Sequence, residues 1–163
     1  MLKFFDCNCV IGKRSIRRSG ESNAEEFYTL QSLLSEMDYA GIDEALVYHS
    51  LAKEYSPTVG NKKLMEEIKN NDRLHPCWVV MPSSTGEMPE PESLISEMLD
   101  NGVRAVRLFP TDHSYSLADW SCGELFGELE NHKILTLIEI DQIGWDGLNS
   151  LCTRHPNLPI VIL

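Results

Sequence analysis

Ten residues of the chain have types and spacing that could do chemistry. Asp6 and Asn8 stand two apart in KFFDCNCVIG (Lys3 to Gly12), an apolar stretch that closes on polar side chains and a glycine. A strand alternates its faces with a period of two, which predicts Asp6 and Asn8 on one face and Cys7 and Cys9 on the other. His49 closes a second apolar run, Glu44–His49. Arg107, Asp112 and His113 lie at and after a third, and Glu139 and Asp141 at the end of a fourth. Arg14 and Arg17 belong to Lys13-Arg14-Ser15-Ile16-Arg17-Arg18, which holds four of the fourteen basic residues in six positions. Three carboxylates (Asp6, Glu139 and Asp141) could hold a hard divalent cation and lower the pKa of its bound water. His49, Asp112 and His113 are then the candidate catalytic groups, with an imidazole moving the proton. Arg14, Arg17 and Arg107 could collar a carboxylate or phosphate, which guanidinium groups bind in bidentate fashion. Each feature also has a plainer explanation. Asp6 could cap or pair locally, Asp141 could N-cap the next helix, and the basic loop could be solvated or pair with the chain's own acids. Glu139, on the inward face of a central strand, needs a partner such as Arg107 or a metal, because an unpaired buried carboxylate is costly.

The elements that must position these groups alternate strand and helix. Asn23 is expected to N-cap a helix from Ala24 to about Ala40, with Phe27, Leu30, Leu33, Leu34 and Met37 as its buried stripe and Gly41 as its end. Glu44–His49 is the second strand. A helix from about Gly60 to Asn71 leads to a third strand, Leu74 to Met81. Pro91 opens a helix that stops at Gly102. Val103 to Phe109, then a helix from Trp120 to about His132, Ile134 to Ile140, a helix from Ile143 to Arg154, and Leu158 to Leu163 complete the order. Repeats of roughly 25 to 40 residues fit βαβ units. The fold class expected is α/β, with parallel (β/α) repeats of TIM-barrel type in one domain spanning 1–163. A full barrel takes about 250 residues, so the chain is expected to be truncated after the start of its sixth strand. An open doubly wound sheet also accepts the pattern, but the turn after the first strand, VIGKRSIRR, lacks the glycines of a nucleotide-binding fold.

With the elements placed, the chain resembles the amidohydrolase superfamily, in its amidohydrolase-related branch of metal-dependent TIM-barrel hydrolases and decarboxylases. Asp6 to Gly12 is similar in frame to that family's opening Asp-x-His-x-His-x-Gly. LHPCWVVMP (Leu74 to Pro82), GVRAVRLFP (Gly102 to Pro110) and HPNLPIVIL (His155 to Leu163) resemble its third and fourth strands and the run into its sixth. The resemblance implies a divalent metal cofactor (Mg, Mn or Zn), held by Asp6, Asn8, Glu139 and Asp141 in a site degraded relative to the family. The family's two first-strand histidines fall at Asn8 and Val10, and its fifth-strand histidine at Glu139. The function implied is hydrolysis or decarboxylation of a small anionic substrate. The alternative is a non-catalytic or metal-free protein that keeps the fold for ligand binding or assembly.

Composition narrows the partners. Hydrophobic content of 42% and charged content of 24% over 163 residues suit a globular protein. A net charge of −11 disfavours nucleic acid and anionic membranes. A small-molecule substrate is the partner expected, in a monomer or homo-oligomer. No run has the length and apolarity to span a bilayer, and five cysteines without a framework read as reduced, buried thiols, which places the protein in the cytoplasm. His75, His132 and His155 read as structural, and Trp78, Trp120 and Trp145 as packing anchors.

Overall fold

Two compact units divide the chain, Met1–Pro76 and Cys77–Leu163. The computed structural model describes residues 2–13 and 27–163. Strand β4 starts in the first unit and finishes in the second, so each unit has its own parallel pairings.

In the first unit, β1 (Phe5–Lys13) lies between β2 (Phe27–Tyr28), which pairs with it antiparallel, and β3 (Glu44–His49), which pairs with it parallel. β3 pairs in turn with the start of β4 (Leu74–Val79), in register Ala45 to Leu74. The run Ala45 to Tyr48 is buried throughout, as expected of a parallel strand covered on both faces. Helix α1 (Leu30–Ala40) presents Leu33 and Met37 to the core. Its cap is Thr29, whose Oγ1 accepts from the Ser32 amide at 3.0 Å. This corrects the expected start at Ala24, since Phe27 and Tyr28 pair with Lys13 and Gly12 instead of joining the helix. Asn23 lies outside the described residues. Two helices occupy the stretch where one was expected, α2 (Ser50–Glu54) and α3 (Pro57–Ile68). They pack so closely that a Cβ at Gly60 would overlap the Ala52 backbone.

In the second unit the strand order is β4, β5 (Ala105–Leu108), β6 (Leu135–Ile138) and β7 (Ile160–Ile162), all parallel. Helix α4 (Pro91–Asp100) buries Leu94, Ile95 and Met98, and α5 (Asp119–Asn131) buries Leu125, Phe126 and Leu129. Helix α6 (Ile140–Arg154) is broken at Gly144, whose φ of 68° no other residue type adopts readily. With Val106, Leu108, Phe109, Ile134 and Ile138 these residues form a well-buried core. The expected fold class holds: parallel (β/α) repeats of TIM-barrel type. Among the described residues no helix is long and apolar enough to cross a membrane.

Candidate functional site

The first strand does not place its polar residues where the alternation predicts. Asp6 pairs with Ala45 and Cys9 with Val47, so three steps along β1 match two along β3. The extra residue is a β-bulge, which resets the alternation. Parallel partners share a face, and Asp6 is thereby brought to the side of Cys9. Burial and the Asp6 carboxylate push the Cys9 thiol up to about 12. Within the bulge the Asn8 amide donates to Asp6 Oδ1 at 2.8 Å, and the Asn8 side chain is exposed. Asp6 is the second residue of a nine-residue strand. Asp6 and Asn8 therefore belong to its first half, and the expected position at its C-terminal end is corrected. Cys9, Val10 and Ile11 carry the strand onward because all three are buried.

The C-terminal end of β1 lies beside His49, which pairs with Ile11. His49 is buried and caps α2, its Nδ1 accepting from the Leu51 amide at 3.1 Å. Its Nε2 lies 3.9 Å from Glu67 Oε1, and Glu67 also pairs with Lys63 at 3.1 Å. Burial lowers the imidazole pKa from its ordinary value, with Lys63 adding to the effect and Glu67 opposing it. With Nδ1 accepting, the ring hydrogen of the neutral form sits on Nε2, towards Glu67. Both nitrogens thus face protein groups. Gly12 closes over them with φ +100°: a Cβ there would overlap Ser50 Oγ and stand 2.6 Å from His49 Cε1. Arg14 and Arg17 lie outside the described residues.

In the second unit Arg107 is buried on the face it shares with Val79 and Leu137. Its Nη2 donates to Glu139 Oε1 at 2.5 Å, and its guanidinium carbon lies 5.2 Å from the Phe109 ring centre. Glu139 is not a strand residue, because β6 ends at Ile138 and Glu139 occupies the N-cap position of α6. Asp141, expected at the end of that strand, is an exposed residue in the first turn of α6. The apolar run Ile134 to Ile140 conceals this change of direction, since Ile140 already starts the helix. His113 packs edge-on against Phe109 at 5.8 Å, and its amide donates to the Phe109 carbonyl at 2.8 Å. Asp112 is exposed.

Sequence reasoning missed Gln142 and Tyr115. Gln142 Oε1 accepts from the amides of both Thr111 and Asp112 at 3.2 Å, which holds the turn carrying Asp112 and His113 to the start of α6. Tyr115 is half-buried, donates to the Val80 carbonyl at 3.4 Å, and has its phenol pKa raised by desolvation. A polar residue two places after a predicted strand end was the available signal for Gln142. Tyr115 gave none. Two of the three tryptophans are not the anchors expected, since Trp120 is 83% and Trp145 72% exposed while Trp78 is buried. Cys152 is likewise exposed, although all five thiols are free.

Solved structures share this fold. A probable 2-pyrone-4,6-dicarboxylic acid hydrolase from Acinetobacter baumannii, crystallised with citric acid bound, matches 99% of this chain with a TM-score of 0.67 at 16% identity. An Agrobacterium tumefaciens protein in its apo form matches 98% with a TM-score of 0.57 at 9% identity. The chain spans 58% and 56% of their respective lengths. No family model and no curated protein matches the sequence. The likeness establishes the fold alone, parallel (β/α) repeats of TIM-barrel type.

The described side chains do not fit the metal that the family resemblance implies. Among the described residues no three His, Cys, Asp or Glu side chains come together to hold an ion. Val10 is buried and cannot ligate, and Glu139 is held by Arg107. A divalent ion about 5 Å from that guanidinium would be repelled by roughly 7 kcal/mol at an effective dielectric of about 20.

Proposed function

We propose that residues 1–163 form one barrel-type domain of an amidohydrolase-fold protein that binds a small anionic molecule without the family's metal centre, in the cytoplasm. The observation that carries this reading is the Arg107–Glu139 ion pair, which puts a cation where the family resemblance calls for a metal ligand. Two further features support an anionic ligand: the basic run Lys13 to Arg18, with Arg14 and Arg17 joining Arg107 as ligand-binding candidates, and the citric acid bound to the Acinetobacter relative. The enzymatic reading assigns proton transfer to His49, Asp112 and His113, and a divalent cation to Asp6, Asn8, Glu139 and Asp141. It is the competing outcome.

Metal analysis of the purified protein, melting curves with Mn, Mg or Zn added, and calorimetric titration with citrate separate the two. The expected result is substoichiometric metal, no gain in melting temperature from any of the ions, and saturable citrate binding that Arg14→Glu with Arg17→Glu weakens. A stoichiometric divalent ion that raises the melting temperature would overturn the metal-free reading. Citrate binding unchanged in the double variant would remove the basic run from the ligand site.

A further inference from the structure

A cavity of about 540 Å³ opens in the second unit, between the turn that follows β4 and the first turns of α5. Pro82, Ser83 and Ser84 form one wall, and Asp119, Trp120 and Glu124 the other. Its volume falls within the range of small-molecule sites, about 300 to 1,000 Å³. Trp120 is 83% exposed, although an indole normally buries its large apolar face. Trp120 and Glu124 are four apart on α5, hence neighbours on one helix face. Gly123 is a poor helix residue, yet a Cβ there would stand 2.7 Å from Asp119 Oδ1, so the glycine leaves room for the Asp119 carboxylate. Among the described residues no basic side chain lines the cavity. Arg154, which is not among the lining residues, reaches Asp119 Oδ1 at 3.6 Å. An indole face flanked by carboxylates attracts organic cations, since the ring quadrupole and the anions act in the same direction.

We propose that this cavity binds an organic cation, an ammonium group on a small polar body, seated against the Trp120 indole with Asp119 and Glu124 as counter-charges and the Ser83 and Ser84 wall facing its polar part. The proposal does not depend on the anionic ligand proposed above.

Titration of the ¹⁵N-labelled chain with choline tests this, read at the indole N–H resonances. Trp120→Phe assigns the Trp120 signal, and the buried Trp78 signal reports an intact fold. Choline should shift the Trp120 resonance saturably, at least about fivefold more tightly than its uncharged isostere 3,3-dimethylbutan-1-ol. Asp119→Asn with Glu124→Gln should abolish that preference while the Trp78 resonance stays in place. The proposal is overturned by an unsaturable response, by equal binding of the isostere, by a preference for glucose over choline, or by unchanged choline binding in the double variant.

Discussion

Glu139→Gln should destabilise the second unit far more than Arg107→Met, although arginine is the larger group. The Arg107 side chain is 4% exposed and the Glu139 side chain 28%. Substituting Glu139 withdraws the negative charge from a guanidinium that cannot move into water. Substituting Arg107 leaves a carboxylate that water already reaches. Breaking a buried ion pair from one side costs about 3 to 5 kcal/mol. Partial hydration from the Glu139 side puts Glu139→Gln at or just below the bottom of that range, about 2 to 3 kcal/mol. A Coulomb estimate agrees, at about 4 kcal/mol for charge centres about 4 Å apart and an effective dielectric of about 20, before desolvation is subtracted. Arg107→Met keeps the aliphatic stem against Phe109 and should cost about 1 kcal/mol. The double variant should cost little more than Arg107→Met alone, a coupling of about 2 kcal/mol. All three tryptophans lie within Cys77–Leu163, so urea unfolding followed by tryptophan fluorescence reports this unit directly. Equal single effects that add in the double variant, with coupling below about 0.5 kcal/mol, would refute the pairing as a source of stability.

Two further predictions concern the first unit, read by far-ultraviolet circular dichroism. The His49 pKa is lowered from 6.5, chiefly by burial, so the unfolded chain takes up this proton before the folded one. Stability should therefore fall as pH drops below about 6.5 and level off once folded His49 protonates. His49→Asn keeps an N-cap acceptor without titrating and should flatten that part of the profile between pH 7.5 and 5.5. An unchanged slope would rule out His49 as its source. Gly12→Ala should cost at least about 2 kcal/mol, because the strained φ adds to an overlap with Ser50 and His49. Gly41→Ala, at φ 72° with open space around it, should cost about 1 kcal/mol. Equal losses at the two glycines would remove the claimed close approach.

The order of elements was legible because each rests on local signals. The apolar run of β3, Pro91 at the start of α4 and Gly102 just after its end act within a few residues. Elements decided by distant partners were not legible. β2 exists only by pairing with Gly12 and Lys13, and the bulge only by comparison with β3. Both changed the reading of the site, since one shortened a helix and the other moved Asp6 to the side of Cys9. The partnership of Arg107 and Glu139 was among the possibilities named, because a carboxylate near a core must be answered by some cation. Sequence could not say which one.

His49 shows why residue type outruns role. An imidazole at the end of a β3-type strand in a barrel fold suggests proton transfer. Yet the atom that would accept the proton, Nδ1, already accepts the Leu51 amide. Protonating Nδ1 would break the α2 cap and place a cation in a buried site where the Glu67 carboxylate lies 3.9 Å from the other nitrogen. For His49 to act as a base there, α2 must first release it. If that happens, the protection factor of the Leu51 amide should fall as pH drops through the lowered pKa of folded His49, in step with loss of the cap. An amide whose protection does not change through that range would mean that the cap holds and that His49 serves the fold alone.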